Sequence, residues 1–220
     1  MLARVLEPEV MDTPDEAREY DAMDHSAVNR AFTADFFSTC PTPSGPVLDV
    51  GTGTALIPIQ MARVHPTVRV HAIDLADEML TRAAANVAAA GFAERITLEK
   101  VNGRRMPFPD GHFAAVVSNS IIHHIPEPFH CLAEVTRVCA AGGTLFVRDL
   151  LRPTTELQLA ELVELHTDGA TPPQRQLFAD SLRAALTLAE VQSLVVQLGF
   201  PPYTVAQTSD RHWTWVAIAG

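Results

Sequence analysis

The sequence is short of cysteine, of long apolar runs and of concentrated positive charge, and each shortage removes a class of function. Its three cysteines, Cys40, Cys131 and Cys139, show no close metal-ligand spacing, and an odd number fits a reduced compartment better than a disulfide scaffold. Cys131 and Cys139 fall on an expected helix and read as small core residues. Hydrophobic residues make up 47% of the 220, yet no continuous apolar stretch has membrane-spanning length. A globular chain with no membrane partner is expected. Met1 to Pro8 lacks the apolar core of a signal peptide, which makes the expected location cytoplasmic. Lys and Arg total 16 against 26 Asp and Glu, a net charge of −10. Without a basic cluster to release counterions from a phosphate backbone, nucleic acid is not an expected partner.

What the sequence does have is the stretch Pro46-Val47-Leu48-Asp49-Val50-Gly51-Thr52-Gly53-Thr54-Ala55. Its apolar first half suits a strand buried on both faces, and two glycines one residue apart let the backbone turn sharply against a ligand. A helix follows. Strand, glycine turn and helix N-terminus together make a cleft of backbone N–H groups suited to the polar part of a nucleotide-like cofactor. A dinucleotide fingerprint would carry a third glycine at position 56, where this chain has Leu56, which weighs against NAD.

Around that stretch, apolar and polar residues alternate in the manner of a doubly wound α/β sheet. Strands are expected at 46–50, 68–74, 96–101, 113–119 and 143–150, with helices at 54–64, 76–90 and 127–139 between them. Residues 12–37 carry apolar positions at helical spacing, starting at Thr13-Pro14, and the Pro/Gly-rich run Cys40 to Pro46 marks a hinge. This divides the chain into an N-terminal helical cap, 1–40, and a main domain, 41–220. Within the latter, 151–187 forms a helical insertion over the carboxyl ends of the strands, either a lid or a buttress. A helix over 188–198 precedes two strands, 203–207 and 213–218, whose short turn makes an antiparallel hairpin.

Val47 to Ala55 resembles the first motif of the class I S-adenosylmethionine-dependent methyltransferases, with Ala55 where that family usually has a third glycine. The resemblance runs to about residue 150, and the terminal hairpin follows the family's element order. It implies a Rossmann-like sheet of seven strands with S-adenosylmethionine as cofactor. Asp49, Gly51, Thr52 and Gly53 would shape the cofactor site, and Asp74, closing the second strand, would accept hydrogen bonds from the ribose hydroxyls. Leu75 and Met79 would lie near the adenine, with Asn102 and Gly103 in the third cofactor-contacting turn. Family members commonly have Asp at the place of Asn102, whose amide oxygen can still accept a hydrogen bond.

Ser118-Asn119-Ser120-Ile121-Ile122-His123-His124 would lie along the methionine part of the cofactor. Asn119 is expected to touch it, and His123 or His124, with His124 favoured, to take a proton from the acceptor; a structural role for either histidine stays open. Arg148, at the end of the fifth strand, is a candidate substrate residue unless it pairs with Asp149. Arg175 and Tyr20 are further candidates. No metal site is expected. The reading is a methyltransferase acting on a small molecule, alone or as a homodimer. A cofactor-binding sensor or scaffold and an NAD(P)-dependent reductase are the alternatives.

Overall fold

The computed structural model describes residues 2–7 and 12–220, without the Glu16 side chain. The reading of Met1 to Pro8 therefore falls partly outside the described residues. Two helices, α1 (Pro14–Asp21) and α2 (Ser26–Thr39), precede the first strand, β1 (Val47–Val50). Then come α3 (Leu56–Val64), β2 (Val70–Asp74), α4 (Asp77–Ala90), β3 (Ile96–Lys100) and β4 (Phe113–Asn119). A 3-10 turn, Ile122–His124, leads to α5 (Pro128–Val138) and β5 (Cys139–Leu150), and a second one, Pro202–Thr204, precedes the last two strands. The chain ends with α6 (Glu156–His166), α7 (Pro172–Ala184), α8 (Leu188–Gln197), β6 (Val205–Gln207) and β7 (His212–Ile218).

The seven strands form one sheet in the order β3-β2-β1-β4-β5-β7-β6. All neighbours are parallel except β7, which runs antiparallel to both β5 and β6. Strand order reverses between β1 and β4, and a doubly wound sheet opens a ligand crevice at the carboxyl ends on either side of such a point. Every residue of β1 is buried, as a central parallel strand covered on both faces requires.

Local chemistry sets the element ends. Asp77 and Glu78 place negative charge at the N-terminus of α4, and Gly91 ends it at φ 75, donating to the carbonyls of Val87 and Ala88. Thr187 and Glu190 cap the start of α8 reciprocally. β5 begins four residues earlier than expected because Cys139 already pairs with Phe113. The register then shifts, and regular pairing resumes at Ala115 with Thr144.

Helices cover both faces. On one, Phe32 and Phe36 of α2 are fully buried with Ile59 and Met61 of α3, Ala83 and Val87 of α4 and the sheet residues Val47, Val117 and Phe146. Thus α2 belongs to the layer that packs on the sheet. On the other face, Leu132 and Val135 of α5 and Val191 and Val195 of α8 pack with Trp213 and Trp215 of β7. A smaller cluster joins Leu159 and Leu162 of α6 and Leu182 of α7 to Leu150 at the end of β5. Residues 2–7 lie against the same end, with Leu2 N–H donating to Thr154 O and Val5 N–H to Arg183 O. Arg4 donates to the carbonyls of Ala184, His123, Ile125 and Pro126.

Candidate active site

The glycine loop after β1 closes on the end of β2. Gly51, at φ 74, and Thr52 both donate their N–H to Ile73 O at 2.9 Å. A Cβ at Gly51 would stand 2.3 Å from Ile121 Cγ2, so a side chain there would collide with the segment after β4. Gly53, at φ 54, donates to Asp74 Oδ2 at 2.7 Å. Ala55 is buried and left-handed at φ 62, a conformation that costs an alanine about 1–2 kcal/mol. Glycine is usual there for a backbone reason as much as for close approach.

This loop forms one wall of a cleft that encloses about 880 Å³, counting its open mouth, within the size range of small-ligand sites. Most of the expected cofactor residues line it: Gly51, Gly53, Asp74, Leu75, Met79, Asn102, Gly103 and Asn119, together with Tyr20 from α1 and His124. Sequence reasoning missed Ile73 and Val101 of the apolar wall, whereas Ile121 and Ser120, the latter held left-handed at φ 58, belong to the segment expected along the methionine part, which Ile125 follows. A non-glycine residue in that region beside a cleft is the kind of strain that collects at functional sites.

Asp74 already serves the protein. Besides Gly53, Ala76 N–H donates to it, at Oδ1 and 3.0 Å. The Leu75 N–H also favours its charged form, yet burial outweighs these backbone bonds and raises the pKa. Asn102 Oδ1 likewise accepts from Arg104 N–H at 2.9 Å, so its amide nitrogen is the freer group.

Beside the cleft lies a smaller polar hollow lined by Asp49, Thr52, Thr54, Asn119, Asn29 and Tyr20. Asp49 Oδ2, Thr52 Oγ1, Thr54 Oγ1 and Asn119 Oδ1 are buried there without a hydrogen-bond partner among the described residues. Burial, opposed by the neighbouring Thr52 hydroxyl and reinforced by the Asp74 carboxylate, pushes Asp49 up to about 7. Burial also pushes the Tyr20 phenol up to about 12, with Asp74 and Asp49 adding to it, so it stays a neutral O–H. A carboxylate, an amide oxygen and two hydroxyls in one buried hollow suit an ammonium group, such as the amino-acid end of S-adenosylmethionine.

The two histidines part company. His124 lines the cleft, whereas His123 is 3% exposed and lies behind it. Its Nδ1 shares a 2.6 Å hydrogen bond with Asp149 Oδ1, and its Nε2 is 3.9 Å from Glu7 Oε1. Burial opposes the His123 charge, but Asp149 and then Glu7 outweigh it and raise the pKa. Asp149 is held below its ordinary value although burial opposes this: His123 and the N–H groups of Leu150 and Ile122 prevail. Of the two, only His124 lines the surface open to an acceptor.

Two of the three substrate candidates stand away from the cleft. Arg148 does not reach the cleft; its guanidinium bonds Asp35 Oδ2 at 2.7 Å and Thr214 Oγ1 at 3.0 Å and lies near the Phe32 and Phe146 rings. Nor does it pair with Asp149, because adjacent residues of a strand point to opposite faces. Arg175 is on the surface, 3.1 Å from Glu164, and none of residues 151–187 lines the cleft. Tyr20 lines both the cleft and the hollow.

A family model described as a methyltransferase domain matches residues 47–143. The phosphatidylethanolamine N-methyltransferase of Cereibacter sphaeroides is 36% identical over 104 residues, which are 47% of this chain and 49% of that protein. The 27-O-demethylrifamycin SV methyltransferase of Amycolatopsis mediterranei is 30% identical over 175 residues, 78% of this chain and 60% of that protein. The chain thus spans about half the length of the curated relatives it matches. A putative S-adenosyl-L-methionine-dependent methyltransferase from Methanococcus maripaludis shares the fold, with TM-score 0.74 at 14% identity over 98% of each chain. Among the described residues no helix is long and apolar enough to cross a membrane. A methyltransferase domain thus runs from β1 into β5, and the fold is shared end to end with an S-adenosyl-L-methionine-dependent methyltransferase.

Proposed function

We propose that this chain transfers a methyl group from S-adenosylmethionine to a small-molecule acceptor. The observation that carries the reading is the polar hollow with its orphaned Asp49, Thr52, Thr54 and Asn119 oxygens, continuous with a cleft walled by Asp74, Leu75 and Met79. Asp49 and Asn119 receive the ammonium group, Asp74 the ribose hydroxyls, and Leu75, Met79, Asn102 and Gly103 flank the adenine. When bound, the cofactor supplies a sulfonium-activated methyl group that needs no further activation by the protein.

The protein's work is therefore to hold, orient and exclude water. Ile121 and Ile125 keep the cleft floor apolar. Tyr20 closes it from α1 and presents a phenolic O–H to the acceptor. His124, behind which His123 is locked to Asp149, faces the acceptor and takes its proton where the accepting atom carries one. The names of the two curated relatives point to nitrogen in one and oxygen in the other, so acceptor screening decides the atom type.

Thermal unfolding with S-adenosylmethionine, S-adenosylhomocysteine and NAD in parallel tests the reading. At a hundred times its Kd a ligand adds about 2.7 kcal/mol, roughly 5–10 °C for a domain of this size. A shift with both adenosyl compounds and none with NAD is expected, whereas a shift with NAD alone overturns the proposal.

A further inference from the structure

Glu7, His123 and His124 each bring one ligating atom to within 4.8 Å of the other two. The histidines come from the turn after β4, and Glu7 comes from the N-terminal segment that Arg4 ties to that same turn through the carbonyls of His123, Ile125 and Pro126. We propose that these three side chains form a binding site for one divalent transition-metal ion of the zinc type. The open position of that ion faces the cleft and takes an oxygen atom of the acceptor.

Three observations lead there. The Glu7 side chain is only 7% exposed, and its Oε1 has no hydrogen-bond partner among the described residues. That oxygen stands 3.9 Å from His123 Nε2, too far for a hydrogen bond. Two ligands about 2.0–2.2 Å from a common tetrahedral ion lie about 3.4 Å apart, so a small approach would seat one between them.

The second observation is the orientation of His123. Its Nδ1 is engaged by Asp149 at 2.6 Å, and Asp149 is itself held by the N–H groups of Ile122 and Leu150. A carboxylate on one ring nitrogen fixes the tautomer that presents the other nitrogen's lone pair, the arrangement found behind metal-bound histidines. Here that other nitrogen points at a buried carboxylate.

The third is the donor set and its access. Two imidazoles and one carboxylate select zinc, cobalt or iron over magnesium or calcium, and three protein ligands leave a position open for a ligand. His124 belongs to the cleft wall, which places that open position on the acceptor side. With the ion bound, His124 serves as a ligand instead of a base. The acceptor is then an oxygen compound, a hydroxyl or enol, held by coordination. The part of the inference that concerns the acceptor rests on reading the cleft as a methyl-transfer site; the metal site does not.

The test is a titration of the full chain, freed of metal by chelation, with Co2+ followed by visible absorption, alongside Zn2+ stoichiometry by elemental analysis. One equivalent bound, with a histidine-ligated cobalt spectrum, is expected. Glu7→Gln and His124→Gln should each weaken binding about 100-fold or more, and Asp149→Asn about 10- to 100-fold. Should one ligand variant fail to fold, the other decides. Failure of the wild-type chain to bind one equivalent, or unchanged affinity in both ligand variants, overturns the site. The thermal shift with S-adenosylhomocysteine, read on the same samples and retained in Glu7→Gln, separates the two proposals. A shift without a cobalt spectrum removes the metal and leaves the methyl transfer; a cobalt spectrum without a shift does the reverse.

Discussion

Asp49 and Asp149 lie in the same sheet, on β1 and β5, and both are almost wholly buried, yet their acidities move in opposite directions. Asp149 has His123 on one oxygen and backbone N–H groups on both, and these overcome the cost of taking a charge out of water. Asp49 has a free Oδ2 and another carboxylate nearby, so burial prevails and its pKa reaches about 7. The difference separates a carboxylate fully partnered within the protein from one left short of partners, which the proposed function assigns to a ligand. A buried charge fully partnered within the protein is structural; one left short of partners is where a cation belongs.

Removing the partnered carboxylate should give the largest effect. Asp149→Ala leaves His123 without its counter-charge and should cost about 3–5 kcal/mol in denaturant unfolding. A loss below about 1 kcal/mol would place the pair among the dispensable ones. Because Asp149 is depressed, its contribution is present above pH 3.8 and fades as pH falls through its lower folded value. His123 is raised, so its contribution is present below pH 6.5 and fades as pH rises through its higher folded value.

The second substitution tests the other side of the contrast. Asp49→Asn should lower S-adenosylmethionine affinity by about 1.5–3 kcal/mol, the worth of a hydrogen bond to a charged group, with the ligand-free fold at least as stable as before. Calorimetric titration measures the first and thermal unfolding the second. Equal affinity in the two proteins would take the ammonium away from Asp49.

A pH series sharpens the same point. Between about pH 4 and about pH 7 the folded ligand-free protein keeps a proton on Asp49 that the unfolded chain has lost, so this residue's contribution to stability declines as pH rises across that window. Binding an ammonium group requires the ionised form. Cofactor affinity should therefore climb with pH up to about 7 and level off, by at most tenfold per unit, with a proton released below that value. Titrations in buffers of different ionisation enthalpy read the proton directly; a flat profile from pH 5 to 8 would contradict the assignment.

The smallest effect is expected where charge meets water. Arg175 and Glu164 form an exposed pair, and Arg175→Ala should change stability by about 0.5 kcal/mol or less and leave cofactor binding unaltered. A clear loss of methyl transfer in that variant would restore Arg175 to the acceptor site.

Much of the cofactor side was legible because its information is local. The pair Gly51 and Gly53 announces a turn, and Asp74 is recognised from its place at the end of the next strand. Asn102 and Gly103 follow β3 in the same way. The acceptor side was not legible. Arg148 and Asp149 looked like one charged pair on paper, and strand pleating sent one to Asp35 and the other to His123. Glu7 carries no motif at all; only the path of the N-terminal segment along α7 brings it beside a histidine pair more than a hundred residues later.

By itself, then, the sequence determined the alternation of elements, the closing hairpin and the glycine turn after the first strand, since hydrophobic period and glycine placement act over a few residues. Tertiary structure alone decided which buried charges are satisfied, which histidine lines the cleft and which arginines are structural. Those outcomes depend on desolvation and on partners far away in the chain, and neither is a property of any short stretch of residues.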